Sequence, residues 1–214
     1  MPRSSSRPEP LPKPPKPPKP NDAAASARAQ VRLGAQVLTC LVLCLVAVPI
    51  IHFSRHGLPV LFSQPMPPVW QLLAGQGLAL LAAAASYLLF RLTADSESTA
   101  RTVQIYGRLD LDGLNPVWIA LCAAIGEEML FRAALQPLLG LWIASVVFLV
   151  VHTPVYQFRR FDGATLAQVG GVFGAGLVLG LVYQYVGLLA AMLVHAWIDI
   201  VGLVAVRSVI RARG

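Results

Sequence analysis

The sequence predicts an all-α protein, a polytopic transmembrane helical bundle of about six spans with both termini on the cytoplasmic side. Three observations predict it. Of the 214 residues, 56% are hydrophobic and only 13% are charged, too apolar for a soluble domain with a solvated surface. The apolar residues gather into runs of about the length that a helix needs to cross a bilayer. The basic residues cluster beyond alternate runs, which is how positive charge sets membrane topology.

The elements follow in chain order. Residues 1–30, with KPPKPPKP at 13–20, lack the apolar content to fold and read as a disordered or polyproline-like basic cytoplasmic tail. Its lysines and arginines suit it to anionic headgroups. Because the tail far exceeds the n-region of a secretory signal, the first apolar run is expected to be retained as a span. Residues 31–115 hold two N-terminal transmembrane helices, 33–53 and 69–92, with a proline-crowded connection at 57–68. The stretch 96–113 mixes charge with Val103, Ile105, Leu109 and Leu111, and reads as a cytoplasmic interfacial helix or as a loop. Residues 116–206 hold four more runs, 116–139, 141–155, 166–186 and 188–206, with Gly140 and Gly187 allowing tight reversals. Residues 207–214 are a basic cytoplasmic tail.

The net charge of +7 does not indicate nucleic acid, because every lysine lies in the first twenty residues and most arginines sit just outside apolar runs. With six spans, the tail, the group Arg91, Arg101 and Arg108, the pair Arg159 and Arg160, and the group Arg207, Arg211 and Arg213 all fall on one side. An odd number of spans would break that pattern. Cys40, Cys44 and Cys122 fall inside apolar runs without disulfide or zinc spacing and read as small apolar side chains.

Ionisable residues inside a bilayer are costly, so each needs a reason. Glu127, Glu128, His152, His195 and Asp199 stand out, with Arg132 close by. At a helical rise of about 1.5 Å per residue, Glu127 lies about 16 Å from one face and His152 about 16 Å from the other, with His195 and Asp199 about 11 and 17 Å deep. Three helices thus deliver ionisable groups to one slab of the membrane. Glu128 and Arg132 are four apart and can pair on one helix face, as can His195 and Asp199, and Phe148 and His152. A helix rotates about 100° per residue, so adjacent glutamates are not expected to meet one partner: Glu128 would pair with Arg132 while Glu127 faces the histidines.

This set suits water activation at a peptide carbonyl. A poorly hydrated carboxylate makes a good general base, a neighbouring histidine can orient the water, and a second histidine can stabilise the oxyanion. Alternatively Glu127, His152 and His195 could coordinate a zinc ion with an open water position. The residues leave both open.

The run GEEMLFRAALQP at 126–137 resembles the EExxxR motif of the CAAX-protease and bacteriocin-processing (CPBP, or Abi) family of intramembrane proteases. FLVVH, from Phe148 to His152, is similar to its FxxxH motif, and HAWID, from His195 to Asp199, to its final HxxxN or HxxxD motif. The resemblance implies a multi-pass inner-membrane endopeptidase acting on membrane protein or peptide substrates. It implies that Glu127 activates water with help from His152, that Glu128 and Arg132 complete the first motif, and that His195 and Asp199 serve the oxyanion or a metal. Asp199 stands where the eukaryotic prenyl-protein proteases of the family have asparagine, and an ionised aspartate cannot donate to an oxyanion. The rival expectations are a non-enzymatic membrane scaffold or bacteriocin self-immunity protein of the same fold, and a proton-coupled transporter, although no internal repeat supports the latter. RFDG at 160–163 and DLDG at 110–113 read as loop chemistry, the second lacking the later ligands of a calcium loop.

Overall fold

The computed structural model describes residues 33–54, 65–156 and 162–213, and the expectations for residues 1–30, for most of the 57–68 connection and for Arg159 and Arg160 lie outside them. Seven α-helices and one π-helical segment make up the described chain: α1 Leu33–Phe53, α2 Pro68–Leu92, α3 Glu97–Tyr106, α4 Asn115–Glu127, the π segment Glu128–Leu135, α5 Gln136–Tyr156, α6 Gly163–Tyr185 and α7 Leu188–Arg213. No strand is present among the described residues.

Among the described residues five helical stretches are long and apolar enough to cross a membrane, one of them the 41-residue run Asn115–Val155. That run is not straight. Gly140, with φ of 78° and ψ of 166°, breaks it with a backbone conformation that a residue bearing a Cβ rarely adopts. Phe131 and Phe148 would be about 25 Å apart on one continuous helix. Their ring centroids are 5.0 Å apart, so the chain folds back at Gly140 as a helical hairpin. The six apolar runs read from the sequence therefore persist as six separate helical limbs.

Buried apolar clusters define the two ends of the bundle. At one end Val103, Leu111, Ile119, Leu203 and Val206 pack with Leu33 and Phe90, which brings together the start of α1, the end of α2, α3, the start of α4 and the end of α7. At the other end Ala47 and Ile51 of α1 pack with Ala133, Ala134, Leu188 and Tyr183. Arg91, Arg101, Arg108, Arg207 and Arg211 therefore share one end, as alternating spans require. Leu38, Leu45, Leu81, Leu89 and Trp142 are more than half exposed, as a bundle solvated by lipid allows.

One stretch differs from expectation, and another decides between two alternatives. Residues 207–213 do not trail away as a tail but continue α7 for two more turns, because no glycine or proline stops the helix. Arg207 donates to the carbonyls of Leu111 and Gly113, and Val209 joins the end cluster. Within 96–113 the helix alternative holds for Glu97–Tyr106, capped by the Ser96 hydroxyl accepting from Thr99 N–H, and turns occupy the rest.

α3 is fastened to the start of α6. Arg101 donates to both carboxylate oxygens of Asp162 at 3.1 and 2.7 Å and to the Thr165 hydroxyl at 3.0 Å. Asp162 also caps α6 by accepting from Thr165 N–H at 2.8 Å. The Arg101 guanidinium, followed by the cap, holds the Asp162 carboxyl well below the usual carboxylate range and raises Arg101 in turn. A depressed folded value means the clasp is fully present above the unfolded aspartate range and is lost only as pH falls through the folded value. Amide protection of α3, corrected for intrinsic exchange, should stay level from about pH 8 to about pH 5 and fall only in stronger acid. A drop between about pH 7 and about pH 5 would point to another group.

α2 and α7 pack along a seam of small residues. Gln71, Gly75, Ala79 and Ala83 recur every fourth residue on α2 and are buried. A Cβ on Gly75 would lie 2.7 Å from the Ala190 Cα, so the backbones meet there. Gln71 closes the end of this seam, donating to Met66 O at 2.8 Å and accepting from Leu189 N at 3.1 Å, which satisfies an N-terminal amide of α7. Gly187 sits against it with φ of 137°, where a Cβ would come within 2.3 Å of the Gln71 Cδ. Gly187→Ala should therefore destabilise the fold by about 2–4 kcal/mol, from backbone strain plus overpacking. Gly202→Ala, where nothing lies within 4 Å, should be neutral or stabilising. Thermal unfolding of both variants in detergent checks this, and equal midpoints would refute it.

Candidate active site

The junction of α4, the π segment, α5 and α7 gathers every ionisable group singled out in the apolar runs. Glu127 ends α4 and Glu128 opens the π segment, whose i→i+5 bonding is rare and concentrates at functional sites. No periodicity in the sequence announces this change of helix type.

Glu128 and Arg132 are both fully buried, and Arg132 Nε donates to Glu128 Oε2 at 3.1 Å. The expected pair therefore exists, but Glu128 does more. Its other oxygen, Oε1, accepts from His195 Nδ1 at 2.9 Å. The Arg132 guanidinium lies 5.2 Å from the Phe148 ring centroid, so the phenylalanine of the second motif covers the arginine of the first.

Glu127 faces the histidines. Its Oε2 lies 3.6 Å from His152 Nε2 and 4.0 Å from His195 Nε2, and although buried it has no hydrogen-bond partner among the described residues. Both glutamates thus meet His195, one at each ring nitrogen, which corrects the expectation that adjacent glutamates cannot share a partner. An imidazole presents two nitrogens in different directions, and the helix changes register between Glu127 and Glu128.

Both rings are held by their Nδ1 atoms. His152 Nδ1 lies 2.8 Å from Phe148 O, and since a carbonyl only accepts, Nδ1 carries the proton. The same holds for His195 Nδ1 facing the Glu128 carboxylate. With Nδ1 protonated, Nε2 of each ring is turned toward Glu127, an acceptor when the ring is neutral and a donor when it is charged. Asp199 Oδ2 lies 3.5 Å from His195 Nε2, and its side chain, 35% exposed, is the most open of the set. Glu127 and His152 side chains are 19% and 18% exposed. The site therefore grades from a closed floor, Glu128 and Arg132, to a mouth at Asp199.

The donor chemistry suits zinc, because metal-binding histidines also anchor the second nitrogen on a carbonyl or carboxylate. Among the described residues no group of three His, Cys, Asp or Glu side chains forms a ready-made metal cluster. Separations of 3.6 and 4.0 Å are too long for direct hydrogen bonds and leave room for one small species, a water or an ion, shared by the three side chains.

Residues 112–201 match the family described as type II CAAX prenyl endopeptidase, Rce1-like. This matched core, less than half of the chain, is similar to that family. That core begins just before α4 and ends two residues beyond Asp199, so it spans all three motifs and agrees with the CAAX-protease and bacteriocin-processing resemblance. Together with its five apolar helical stretches, it marks a multi-pass membrane protein. Over 86 residues the chain is 37% identical to "Uncharacterized protein YpbD" of Bacillus subtilis (strain 168), covering 40% of this chain and 42% of that protein. The chain thus spans less than half the length of the curated relative it matches. No solved structure matches it.

Two features in and around the matched core escaped sequence reasoning. Gln136 donates to Gly180 O at 3.0 Å and ties the end of the π segment to α6, where a Cβ on Gly180 would strike the Gln136 Oε1 at 2.8 Å. Gln71 locks the turn before α7. A polar residue on an apolar helix was the available signal in both cases.

Proposed function

We propose that the chain is an intramembrane endopeptidase that hydrolyses peptide bonds of membrane-associated proteins or peptides with water activated by Glu127. The observation that carries this reading is the unpartnered, buried Glu127 Oε2 facing the Nε2 atoms of two histidines whose orientation is set from behind. A water seated there would donate one hydrogen to Glu127 and one to His152 Nε2, leaving a lone pair for the substrate carbonyl. As the carbon–oxygen bond forms, Glu127 takes the proton and later delivers it to the leaving amine as the carbon–nitrogen bond breaks. His195, protonated on both nitrogens and braced by Glu128, would offer Nε2–H to the oxyanion. Asp199 would position that ring rather than donate, consistent with its place beside Nε2 at the mouth. No step is routed through a metal.

By the positive-inside rule the basic end of the bundle faces the cytoplasm, so the chain would sit in a bacterial inner membrane with N- and C-termini inside. Comparing membrane peptides from cells expressing wild type and Glu127→Ala, alongside the metal content of purified protein, tests the reading. A product that requires Glu127, made by protein free of stoichiometric metal, is expected. Stoichiometric zinc would overturn the metal-free step, and an unchanged peptide profile with stable expression would overturn proteolysis in favour of a scaffold or immunity protein of this fold.

A further inference from the structure

The seam of small residues on α2 stops at Ala83, and the next position four residues on is Tyr87, which is 48% exposed. Beyond that point α2 and α7 part along a groove of ≈ 520 Å³ lined by Ala83, Ala84 and Tyr87 on one side and Val201, Val204 and Ser208 on the other. The groove lies on the side of α7 turned away from His195 and Asp199, since Val201 and Val204 are rotated by about half a turn from that pair. It is therefore separate from the candidate active site.

Its walls are apolar along the helices, and its α2 side ends in a cation. Arg91 Nη1 donates to the Tyr87 hydroxyl at 3.1 Å, and the guanidinium lies 5.9 Å from the same ring centroid, so a residue lining the groove holds the arginine in place. Arg91 makes no ion pair among the described residues. Arg211, 64% exposed, lies one turn beyond Ser208 but faces Asp112 Oδ1 at 3.7 Å, which leaves Arg91 as the cation for a headgroup. An apolar slot parallel to the membrane-crossing helices, ending in a tyrosine-braced arginine, matches an acyl chain with a phosphate above it.

We propose that the α2–α7 groove binds one anionic phospholipid, with an acyl chain along Ala83, Ala84, Val201 and Val204 and the phosphate on Arg91. The test is native mass spectrometry of the full chain in detergent, titrated with dioleoyl phosphatidylglycerol or dioleoyl phosphatidylcholine. The first phosphatidylglycerol should bind about fivefold more tightly than phosphatidylcholine, the preference expected of one basic residue at a headgroup. Arg91→Gln should remove that preference and leave phosphatidylcholine binding unchanged. Ala84→Trp, at a lipid-facing position that tolerates bulk, should fill the groove and weaken both lipids about tenfold. Leu45→Trp, on the exposed side of α1, should change neither. Retained preference in Arg91→Gln, wild-type binding in Ala84→Trp, or an Ala84-dependent adduct with the mass of a second chain would each overturn the proposal.

Discussion

Replacing Glu127 by glutamine is expected to lower turnover about 10²–10⁴-fold while leaving the protein folded, the loss typical of a removed general base. The side-chain shape is kept, and Glu127 Oε2 has no hydrogen-bond partner among the described residues to lose. What disappears is the ability to accept a proton from water between Glu127 and the two Nε2 atoms, 3.6 and 4.0 Å away. The loss should fall on kcat rather than KM, because proton transfer acts in the transition state. Cleavage of a peptide identified from the membrane digest, measured beside the unfolding midpoint, checks both halves. Undiminished kcat in a folded Glu127→Gln protein would remove Glu127 from the role of base.

The adjacent residue should behave in the opposite way. Glu128→Ala is expected to destabilise the fold by about 3–5 kcal/mol, because it strands a buried arginine without its counter-ion. Both Glu128 oxygens are engaged, one by Arg132 Nε and one by His195 Nδ1, and both residues of the ion pair are fully buried. Arg132 Nη1 and Nη2 are already buried without partners among the described residues, none of which would replace the lost carboxylate. Any protein that folds should also be slow, since His195 loses the group that orients it. Detergent-solubilised yield and thermal midpoint, compared with Glu127→Gln, provide the measurement. A Glu128→Ala protein as stable as wild type would mean that the buried pair contributes nothing net.

This contrast between neighbours was only half legible beforehand. Glu128 with Arg132 follows from a spacing of four on any helix. That Glu128 also braces His195, 67 residues later, follows from how α7 packs against the π segment, and spacing within one helix carries no information about that. The rotation argument that kept the two glutamates apart assumed a regular helix through residue 128, where the structure has π bonding. Gly140 was legible as a reversal because glycine tolerates its backbone angles, whereas length and hydropathy alone merge the two limbs into one run of 41 residues. Asp162 was set aside as loop chemistry. Its cap on α6 could have been read from the DGAT sequence, but its clasp on Arg101 joins residues 61 apart.

By itself the sequence determined the all-α class, the six apolar limbs and the position of each charged group along its limb. Hydropathy, charge placement and helical rise are local properties, and the bilayer converts them directly into spans and positions along the membrane normal. Only the tertiary structure decided which faces meet. It turned Glu127 toward two Nε2 atoms, closed the floor with Glu128 and Arg132, left Asp199 at the mouth and opened a separate groove beyond Ala83. Those outcomes depend on helix rotation and crossing, which are set by close contacts such as Gly75 on Ala190 and Gly126 on Cys40, each between residues far apart in the chain.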